Sequence, residues 1–391
     1  MAAAYIVDAV RTAGGRRNGR LSQVSPADLG AVVINALLER NNLDPALIED
    51  VIFGCVSQIG PQTFNVARTA VLASNLPIEV PGVTVDRQCG SGQQAIHFAA
   101  QAVMSGNQDM IIAGGVENMS MTPIGSPLLV ASKAGMRTPF DGEAISSRYP
   151  GVEFSQFVGA ERMAEKYAVS RDDLDHFAYQ SHVKGAAAYD DNRFDREIIP
   201  MTVEVEGQKV VHDVDEGLRR NATLEAIQGL EPLQEGGLIT AGSASQICDG
   251  SAATLIVSER ALKQYGLTPL ARIHDMTVVG SDPTMVLEGP IPATQKILQR
   301  TGLTIEDIAI YEVNEAFGSV PLAWKNAIGA DLERLNVNGG AQALGHPLGA
   351  TGAKLMATLA YELIRRKERY GLLAICEGFG TANATIIERL G

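Results

Sequence analysis

The feature that most restricts the fold is an alternation of short apolar runs with longer helical stretches along the whole chain. Helix start signals lie between these runs; at 25–28, for example, a capping serine precedes a proline at the first helical position. Apolar strands that alternate with helices predict an α/β fold in which helices cover parallel or mixed sheets. The strand candidates are residues 4–9, 51–56, 110–113, 254–257, 272–279, 308–313 and 372–376.

Composition narrows the class of function. The 391 residues carry 32 lysines and arginines against 45 aspartates and glutamates, a net charge of −13. This balance argues against nucleic acid or an anionic membrane as the main partner, although local basic residues can still bind a phosphorylated ligand. The four cysteines are widely spaced, which predicts a reduced, cytoplasmic protein with no metal site. We expect no signal peptide and no membrane span.

The middle of the chain, from about residue 118 to residue 249, differs from the rest. It is richer in turns, polar residues and irregular stretches. We expect this segment to stand as an insertion on the sheet scaffold. Segments of this kind often supply the loops of an active site.

Cys89 follows a β-branched run and precedes an alanine-rich helical stretch, residues 93–104. This order predicts a thiol at a strand-to-helix turn, where unpaired N–H groups and the helix dipole favour a thiolate. Gly90 and Gly92 allow the backbone and a substrate to approach closely. Taken alone, Cys89 is also consistent with a small buried residue at a helix start, because free cysteines are usually inert.

Asn314 and His346 are the second and third candidates. Asn314 follows an apolar run, and polar residues at the end of a strand commonly face a site in α/β folds. Alternatively, Asn314 caps a helix over residues 315–328. His346 lies in a loop, 338–352, that holds five glycines, a setting suited to exposing an imidazole. The glycine spacing fits neither the dinucleotide fingerprint nor the phosphate loop.

Cys376 is the fourth candidate. It ends an apolar run and is followed by Gly378, so a thiol and a backbone N–H group can be exposed together; a buried strand cysteine is the alternative. Two cysteines, a histidine and an asparagine suit thioester chemistry, in which one thiolate attacks and the second thiol moves a proton. A zinc site is disfavoured by the ligand spacing, and a papain-like hydrolase leaves the second cysteine unexplained.

These residues together resemble the thiolase family. The resemblance covers essentially the whole chain and includes four signatures in the family's order. They are Cys-x-Ser-Gly at 89–92, Asn-Glu-Ala-Phe at 314–317, Gly-His-Pro-x-Gly at 345–349 and Cys-x-Gly-x-Gly at 376–380. The resemblance implies a layered αβαβα fold of two similar halves. It divides the chain into an N-terminal half (1–118 with 250–269), an inserted loop domain (119–249) and a C-terminal half (270–391).

The resemblance also implies a role for each candidate. Cys89 is the acylated nucleophile, and His346 takes its proton and helps to hold an oxyanion. Asn314 positions a water in the same oxyanion site. Cys376 is the acid/base that removes or returns a proton on the acetyl α-carbon. The activity implied is thiolytic cleavage of a 3-oxoacyl-CoA by CoA, or the reverse Claisen condensation.

The same resemblance implies the binding residues and partners. The backbone N–H groups of Cys89 and Gly378 form a second oxyanion hole. Ser245 and Arg219 lie where family members contact the pantetheine and nucleotide parts of CoA. We expect CoA and acyl-CoA as substrates, no permanently bound cofactor, and a homodimer or homotetramer.

One departure bears on the substrate. Thiolases specific for acetoacetyl-CoA carry His-Met-Gly in the loop domain, where this chain has Phe-Val-Gly at 157–159. The difference favours longer or bulkier acyl chains, and therefore fatty acid β-oxidation and lipid metabolism. The stretch 88–94 is also similar to thiolases of lipid or steroid side-chain degradation. An acetoacetyl-specific biosynthetic thiolase, a ketosynthase-like condensing enzyme and a non-catalytic acyl-CoA-binding protein are the alternatives.

The remaining histidines, cysteines and the tryptophan receive structural interpretations. We expect packing roles for His97 and Trp324, a surface or interface position for His176 and His182, and burial for Cys55 and Cys248.

Overall fold

The computed structural model describes residues 2–391, in which strands and helices alternate along most of the chain. The strands are β1 (Ala4–Arg11), β2 (Gly15–Arg16), β3 (Asp50–Gly54), β4 (Gly82–Val85), β5 (Met110–Asn118), β6 (Met201–Val205), β7 (Gln208–His212), β8 (Cys248–Ser258), β9 (Ala271–Gly280), β10 (Ile310–Val313), β11 (Tyr370–Glu377) and β12 (Thr381–Glu388). The helices are α1 (Pro26–Arg40), α2 (Val66–Ala73), α3 (Ser91–Ser105), α4 (Ser126–Lys133), α5 (Glu143–Arg148), α6 (Gln156–Lys166), α7 (Arg171–Asp190), α8 (Leu224–Gln228), α9 (Glu259–Tyr265), α10 (Pro290–Thr301), α11 (Ser319–Ile328), α12 (Ala341–Leu344) and α13 (Thr351–Arg366).

The main sheet is mixed and is built from two sets of strands. Its order is β10-β11-β12-β9-β1-β8-β5-β3-β4, with β2 paired to β8. The first set, β9 to β12, meets the second where β1 pairs with β9 through only two residue pairs, Tyr5–Arg272 and Ile6–Ala271. The pairs β3–β4, β3–β5 and β10–β11 are parallel, and the others are antiparallel. The predicted mixed α/β architecture is confirmed.

Helices α3 and α13 form a central layer between the two sets of strands. Ile96 of α3 and Met356 of α13 share one apolar core with strand residues from both sets, such as Ile256 and Leu373. One outer layer, α1 and α2, covers the β3–β5–β8 side, and the other, α10 and α11, covers the β10–β11–β12 side. The order of layers is therefore α-β-α-β-α, as the resemblance implies; the outer helices bury one apolar face against a sheet, whereas the central helix α13 is buried on nearly all sides.

Several strands differ from the sequence prediction: β2, β6, β7 and β12 were not predicted, and β5 and β8 are longer than predicted. Strand β8 extends well beyond 254–257, and all of its residues are buried because sheet or helix covers both of its faces. Strand β12 was not predicted at all. It begins Thr-Ala-Asn-Ala, four small or polar residues, although its second half, 385–387, is entirely β-branched, and it pairs with both β11 and β9.

The middle segment stands apart from the main sheet. It holds α4 to α8 and a separate two-stranded sheet, β6–β7. Helices α4 and α5 contain no buried residue. Among the described residues, every helix is too short or too polar to cross a membrane.

Candidate functional site

The site lies where the ends of several strands and two helix starts converge. Cys89 lies in the turn between β4 and α3, and Asn314 comes directly after β10. Strands β10 and β11 run parallel, with Val313 opposite Ala374, so they carry Asn314 and Cys376 to the same end of the sheet. The backbone N–H of Asn314 donates to the carbonyl of Ala374 at 3.1 Å. The topology therefore brings together side chains that are more than two hundred residues apart in the sequence.

The turn that carries Cys89 is held by Ser91. The Ser91 hydroxyl donates to the carbonyl of Gln88 at 2.6 Å and accepts from the backbone N–H of Arg87 at 2.8 Å. Gln88 has a φ of 49°, in the left-handed region, and helix α3 starts two residues after Cys89 with Gly90 as its N-cap. The thiol is thus fixed, half-buried, at the N-terminal end of a helix, where the sequence predicted it.

The environment of Cys89 does not, however, stabilise a thiolate in the free chain. Burial raises the pKa of Cys89 to about 12, and the charge of the nearby Glu377 carboxylate acts in the same direction. The expectation of a lowered pKa at the helix start was therefore wrong, because desolvation and a like charge outweigh the helix dipole. The pKa of Cys376, which is fully buried, is also raised well above its usual value, by burial and by the charge of Cys89.

His346 is oriented by a hydrogen bond at each ring nitrogen. The Thr351 hydroxyl donates to the carbonyl of Pro347 at 2.9 Å, so it accepts the proton of Nδ1, which lies 2.6 Å away. This assignment leaves Nε2 as the accepting nitrogen, with the amide Nδ2 of Asn314 at 3.3 Å. Burial and the charge of Lys354 lower the pKa of His346 to about 3. The imidazole is therefore a neutral base.

The loop that carries His346 is anchored from three directions. The ammonium group of Lys354 donates to the carbonyls of Leu344 and Gly345, at 2.5 and 3.0 Å. The backbone N–H of His346 donates to the carbonyl of Gln246 at 3.1 Å. On the far side of the loop, Glu117 accepts the N–H of Gly349 at 2.9 Å. These contacts fix the loop although it contains little regular structure.

Three connected pockets reach this site. The cationic pocket, with a cavity volume of about 440 Å³, is lined by Arg219, Arg220 and His182. The central pocket, about 250 Å³, is lined by Ser245 and His346 and shares Ala241 and Gln246 with the cationic pocket. The aromatic pocket, about 520 Å³, is lined by Cys89, Gly378 and several phenylalanines. The central and aromatic pockets share Ile124, Gln156, Phe157 and Leu348. A long ligand can therefore extend from two arginines, past the imidazole, to the thiol.

The structure brings most of the candidate residues to these pockets. Cys89 and Gly378 line the aromatic pocket, His346 and Ser245 the central one, and Arg219 the cationic one. Cys376 and Asn314 are buried behind the pocket walls. The side-chain oxygen of Asn314 is buried without a hydrogen-bond partner among residues 2–391, which leaves it available to a water.

Two sequence interpretations are corrected here. Asn314 does not cap a helix, since α11 starts only at Ser319, after Gly318. His182 is not at the surface; it is buried, lines the cationic pocket and accepts the backbone N–H of Arg219 at 3.2 Å. The other structural interpretations hold: His97 and Trp324 are buried in packing positions, His176 is exposed, and Cys55 and Cys248 are buried.

Sequence reasoning missed three residues that shape the site. They are Thr351, which sets the tautomer of His346, Lys354, which holds the histidine loop, and Glu377, whose charge acts on Cys89. Thr351 and Lys354 lie about one and two helical turns after His346, and Glu377 directly follows Cys376. Their closeness in the sequence to these candidates was the signal that could have identified them. Nothing in the sequence indicated their burial.

A nucleophilic thiol, a neutral imidazole and a second buried thiol on a layered αβαβα scaffold define a cysteine-dependent acyltransferase site. The chain belongs to the thiolase family: the family's N-terminal domain matches residues 4–260 and its C-terminal domain matches residues 267–389.

Three curated relatives illustrate the range of the family. The chain is 52% identical over 391 residues to steroid 3-ketoacyl-CoA thiolase FadA6 of Mycobacterium tuberculosis, an alignment that covers all of this chain and 95% of that protein. It is 41% identical over 403 residues to 3-oxoadipyl-CoA/3-oxo-5,6-dehydrosuberyl-CoA thiolase of Escherichia coli, which covers both chains fully. It is 42% identical over 395 residues to acetyl-CoA acetyltransferase of Escherichia coli, covering 98% of each.

Proposed function

We propose that this protein is an acetyl-CoA C-acyltransferase, which cleaves a 3-oxoacyl-CoA with CoA to give acetyl-CoA and a shortened acyl-CoA. The observation that carries the proposal is the arrangement of two neighbouring thiols, Cys89 and Cys376, and the neutral imidazole of His346 around adjoining pockets, one lined by Cys89 and the other by His346. One thiol is needed to hold an acyl group, and a second group is needed to protonate carbon. A condensing enzyme without a second thiol lacks that proton donor, so Cys376 favours a thiolase over the ketosynthase alternative.

The first half of the reaction transfers the acyl group to Cys89. As the Cys89 sulfur attacks the 3-oxo carbon of the substrate, its proton passes to Nε2 of His346. The bond between C2 and C3 then breaks, and the acyl group remains on Cys89. The electron pair stays on C2 of the departing acetyl-CoA, which takes a proton from Cys376. Because the pKa of Cys89 is high in the free chain, proton transfer accompanies attack and no thiolate–imidazolium pair exists beforehand.

The second half releases the acyl group to CoA. The Cys376 thiolate takes the proton of the incoming CoA thiol, whose sulfur attacks the acyl carbon on Cys89. The proton held by His346 returns to the Cys89 sulfur as it leaves, and the enzyme is restored. The backbone N–H groups of Cys89 and Gly378 would stabilise the oxyanion of the acyl-enzyme steps, and each preorganised donor contributes about 3 kcal/mol in such sites.

The pockets support an assignment of the substrate's parts. We propose that the nucleotide phosphates bind near Arg219 and the pantetheine chain near Ser245. The cationic pocket, which Arg219 lines, opens into the central pocket, which Ser245 and His346 line. In the thiolytic direction the remaining acyl chain is attached to Cys89, and so it extends into the aromatic pocket. That pocket, about 520 Å³, is larger than an acetyl group requires, which favours acyl chains longer or bulkier than that of acetoacetyl-CoA.

Location, assembly and domain organisation are part of the proposal. Four free cysteines and bacterial relatives support a cytoplasmic enzyme. Strand β4 is at the edge of the sheet, paired only with β3, and the exposed apolar residues Val83, Phe98 and Leu72 lie on β4, α3 and α2. An unpaired edge beside apolar surface supports a homo-oligomer. We also propose that residues 119–249 form the loop domain. CoA acts as a substrate, and the enzyme carries no permanently bound cofactor.

The acyl-enzyme is the species to test. After incubation with acetyl-CoA, intact mass should show one acetyl adduct, which peptide mapping places on Cys89 and which Cys89→Ala abolishes. Cys376→Ala should still take the acetyl group, but more slowly, because CoA can leave as a thiolate without the proton that Cys376 supplies; the variant should lose thiolysis by at least about a thousandfold, since the carbon atom then has no proton donor. Absence of the adduct in the wild-type protein, or normal thiolysis by Cys89→Ala, contradicts the proposal.

A further inference from the structure

Strained backbone is concentrated at the aromatic pocket. Among residues 2–391, eleven non-glycine residues have a positive φ, and three of them line this one pocket: Gln88 at 49°, Val286 at 57° and Phe379 at 65°. A β-branched residue and a bulky aromatic residue are unusual in the left-handed region. Backbone strain of this kind persists where the surrounding structure fixes it, and it tends to occur at functional sites.

Phe379 is held in this conformation by the residue after it. The backbone N–H of Gly380 donates to the carbonyl of Val286 at 3.2 Å. The carbonyl of Gly380 accepts from the backbone N–H of Ser281 at 2.6 Å and from the Ser281 hydroxyl at 3.0 Å. A glycine at position 379 would adopt the same φ without strain. The backbone therefore gives no reason for a phenylalanine here, and the reason must lie with its ring.

The ring of Phe379 completes a wall of aromatic side chains. Its centroid is 5.5 Å from that of Phe140 and 6.2 Å from that of Phe154, and those two rings stack on each other at 5.4 Å. Phe140 and Phe154 come from the irregular segment between α4 and α6, whereas Phe379 directly follows Gly378. The wall thus joins the middle segment to the loop beside the proposed oxyanion hole. Phe379 remains 42% exposed, and it lines the pocket.

The chemistry of the pocket indicates what the wall contacts. Apolar side chains, among them Ile124, Leu128 and Leu348, line the same pocket as the three rings. The lining residues include Asp86 and Glu153 but neither lysine nor arginine. Aromatic faces beside aliphatic side chains stabilise a buried apolar group by removing its surface from water.

We propose that Phe379 is a specificity-determining residue: with Phe140 and Phe154 it binds the apolar body of the acyl group carried by Cys89, and so favours substrates larger than acetoacetyl-CoA. The inference rests on the proposed thiolase function. It assigns selection of the acyl group to one strained residue beside Gly378, and it explains why a bulky ring occupies a backbone position suited to glycine.

The test is Phe379→Gly, which removes the ring and relieves the backbone strain, so the variant should fold with an unchanged or higher Tm. Thiolysis is measured with acetoacetyl-CoA and with 3-oxododecanoyl-CoA. We expect kcat/KM for the long ester to fall about tenfold or more, mainly through KM, while the value for acetoacetyl-CoA stays within about twofold. Phe154→Leu removes a second ring without changing any φ. It should also lower the ratio of kcat/KM for the long ester to kcat/KM for acetoacetyl-CoA.

Lys367→Gly is the matched control. Lys367 has a φ of 58° at the exposed C-cap of α13, so its replacement relieves similar strain away from the pocket and should leave the substrate ratio unchanged. An equal loss of Phe379→Gly on both esters overturns the inference, because Phe379 would then act by positioning Gly378. An unchanged ratio, or a wild-type enzyme that cleaves acetoacetyl-CoA alone, also overturns it. The acetyl adduct on Cys89 reports separately on the proposed function.

Discussion

Glu377 is a buried carboxyl group that forms no ion pair among residues 2–391, although the more distant charge of Arg87 favours its ionised form. It lies one residue beyond Cys376, and its polar contacts with Thr381 and the backbone N–H of Asn383 fall short of full hydrogen-bond geometry. Its Oε1 is so close to Gly90 that a Cβ added at that position would lie 1.9 Å away, so the absence of a side chain at Gly90 leaves room for this carboxyl. Burial raises the pKa of Glu377 to about 8. The carboxyl is therefore mostly neutral at pH 7, and its ionisation would oppose formation of the Cys89 thiolate.

Glu377→Gln should stabilise the protein at alkaline pH. A carboxyl whose pKa is raised by folding destabilises the folded state increasingly as pH rises from its ordinary value, about 4.5, to its folded value, about 8. The variant's advantage in unfolding free energy should grow over that window and reach on the order of 3–5 kcal/mol above pH 8. Urea unfolding of both proteins at pH 5, 7 and 9 measures it. A constant difference across pH would contradict the assignment.

Glu117→Gln is the matched control for that prediction. Glu117 is also fully buried with a raised pKa, but its oxygens accept the N–H groups of Val56, Ser57 and Gly349 and the side-chain amide of Gln62. An amide nitrogen in its place would face donors, so this variant should be less stable than the wild type by about 1–3 kcal/mol. The two substitutions should therefore change the free energy of unfolding in opposite directions. This contrast separates the effect of the buried charge from the effect of its hydrogen bonds.

The loop between α12 and α13 shows how an element without regular structure is made rigid. Gly345 has a φ of 81°, and a Cβ there would lie 2.6 Å from the sulfur of Cys248. The loop therefore packs directly on β8 and can do so only with glycine at this position. Lys354 holds the same turn from α13 through two carbonyls. Together these contacts set the direction in which His346 points.

Gly345→Ala should damage both stability and activity. The added methyl group meets Cys248, and the backbone conformation is unfavourable for alanine, so we expect a loss of about 2–4 kcal/mol. Because His346 is the next residue, thiolysis should fall at least about a hundredfold even at temperatures where the variant is folded. Thermal unfolding and kcat measure the two effects.

Gly329→Ala provides the comparison. Gly329 ends α11 with a φ of 76°, and a Cβ there would meet no atom within 4 Å. That variant should lose only about 1 kcal/mol and keep full activity. Normal activity in a folded Gly345→Ala variant would show that the loop position of His346 is not critical.

At the scale of the whole molecule, the two halves share a central helical layer but little sheet contact. They meet through two residue pairs between β1 and β9, so the packing of α13 on α3 and on strands β1, β5 and β8 carries much of the connection. Cys89 precedes α3 and His346 precedes α13, and the layer therefore also sets the relative position of the two residues. The sheet runs from β10 at one edge to β4 at the other, and β4 has a strand partner on one side only.

Val83→Lys should weaken assembly. Val83 is exposed on β4, and a charge on this edge opposes pairing with a second copy. Light scattering coupled to size-exclusion chromatography should show a larger monomer fraction at low micromolar concentration than in the wild type. Val211→Lys, on the exposed strand β7 of the separate two-stranded sheet, should leave the mass unchanged. A monomeric wild-type protein would contradict the proposed oligomer.

The sequence alone determined the class of fold and the four chemistry-bearing positions. Apolar periodicity located most strands, because a strand covered on both faces must be apolar, and Cys89, Asn314, His346 and Cys376 each followed such a run or lay among glycines. Strand β12 escaped prediction because its first half, 381–384, is small and polar; the β-branched residues at 385–387 favour a strand, and pairing with β11 and β9 extends it.

Only the tertiary structure decided the protonation states and the shape of the site. Burial of Cys89 beside Glu377 raises a pKa that the helix end was expected to lower, and burial of His346 beside Lys354 keeps the imidazole neutral. The strain at Phe379 and the aromatic wall likewise depend on segments that meet only in the folded chain. Local sequence specifies which groups are present, whereas desolvation and contact between distant segments determine their charge and selectivity.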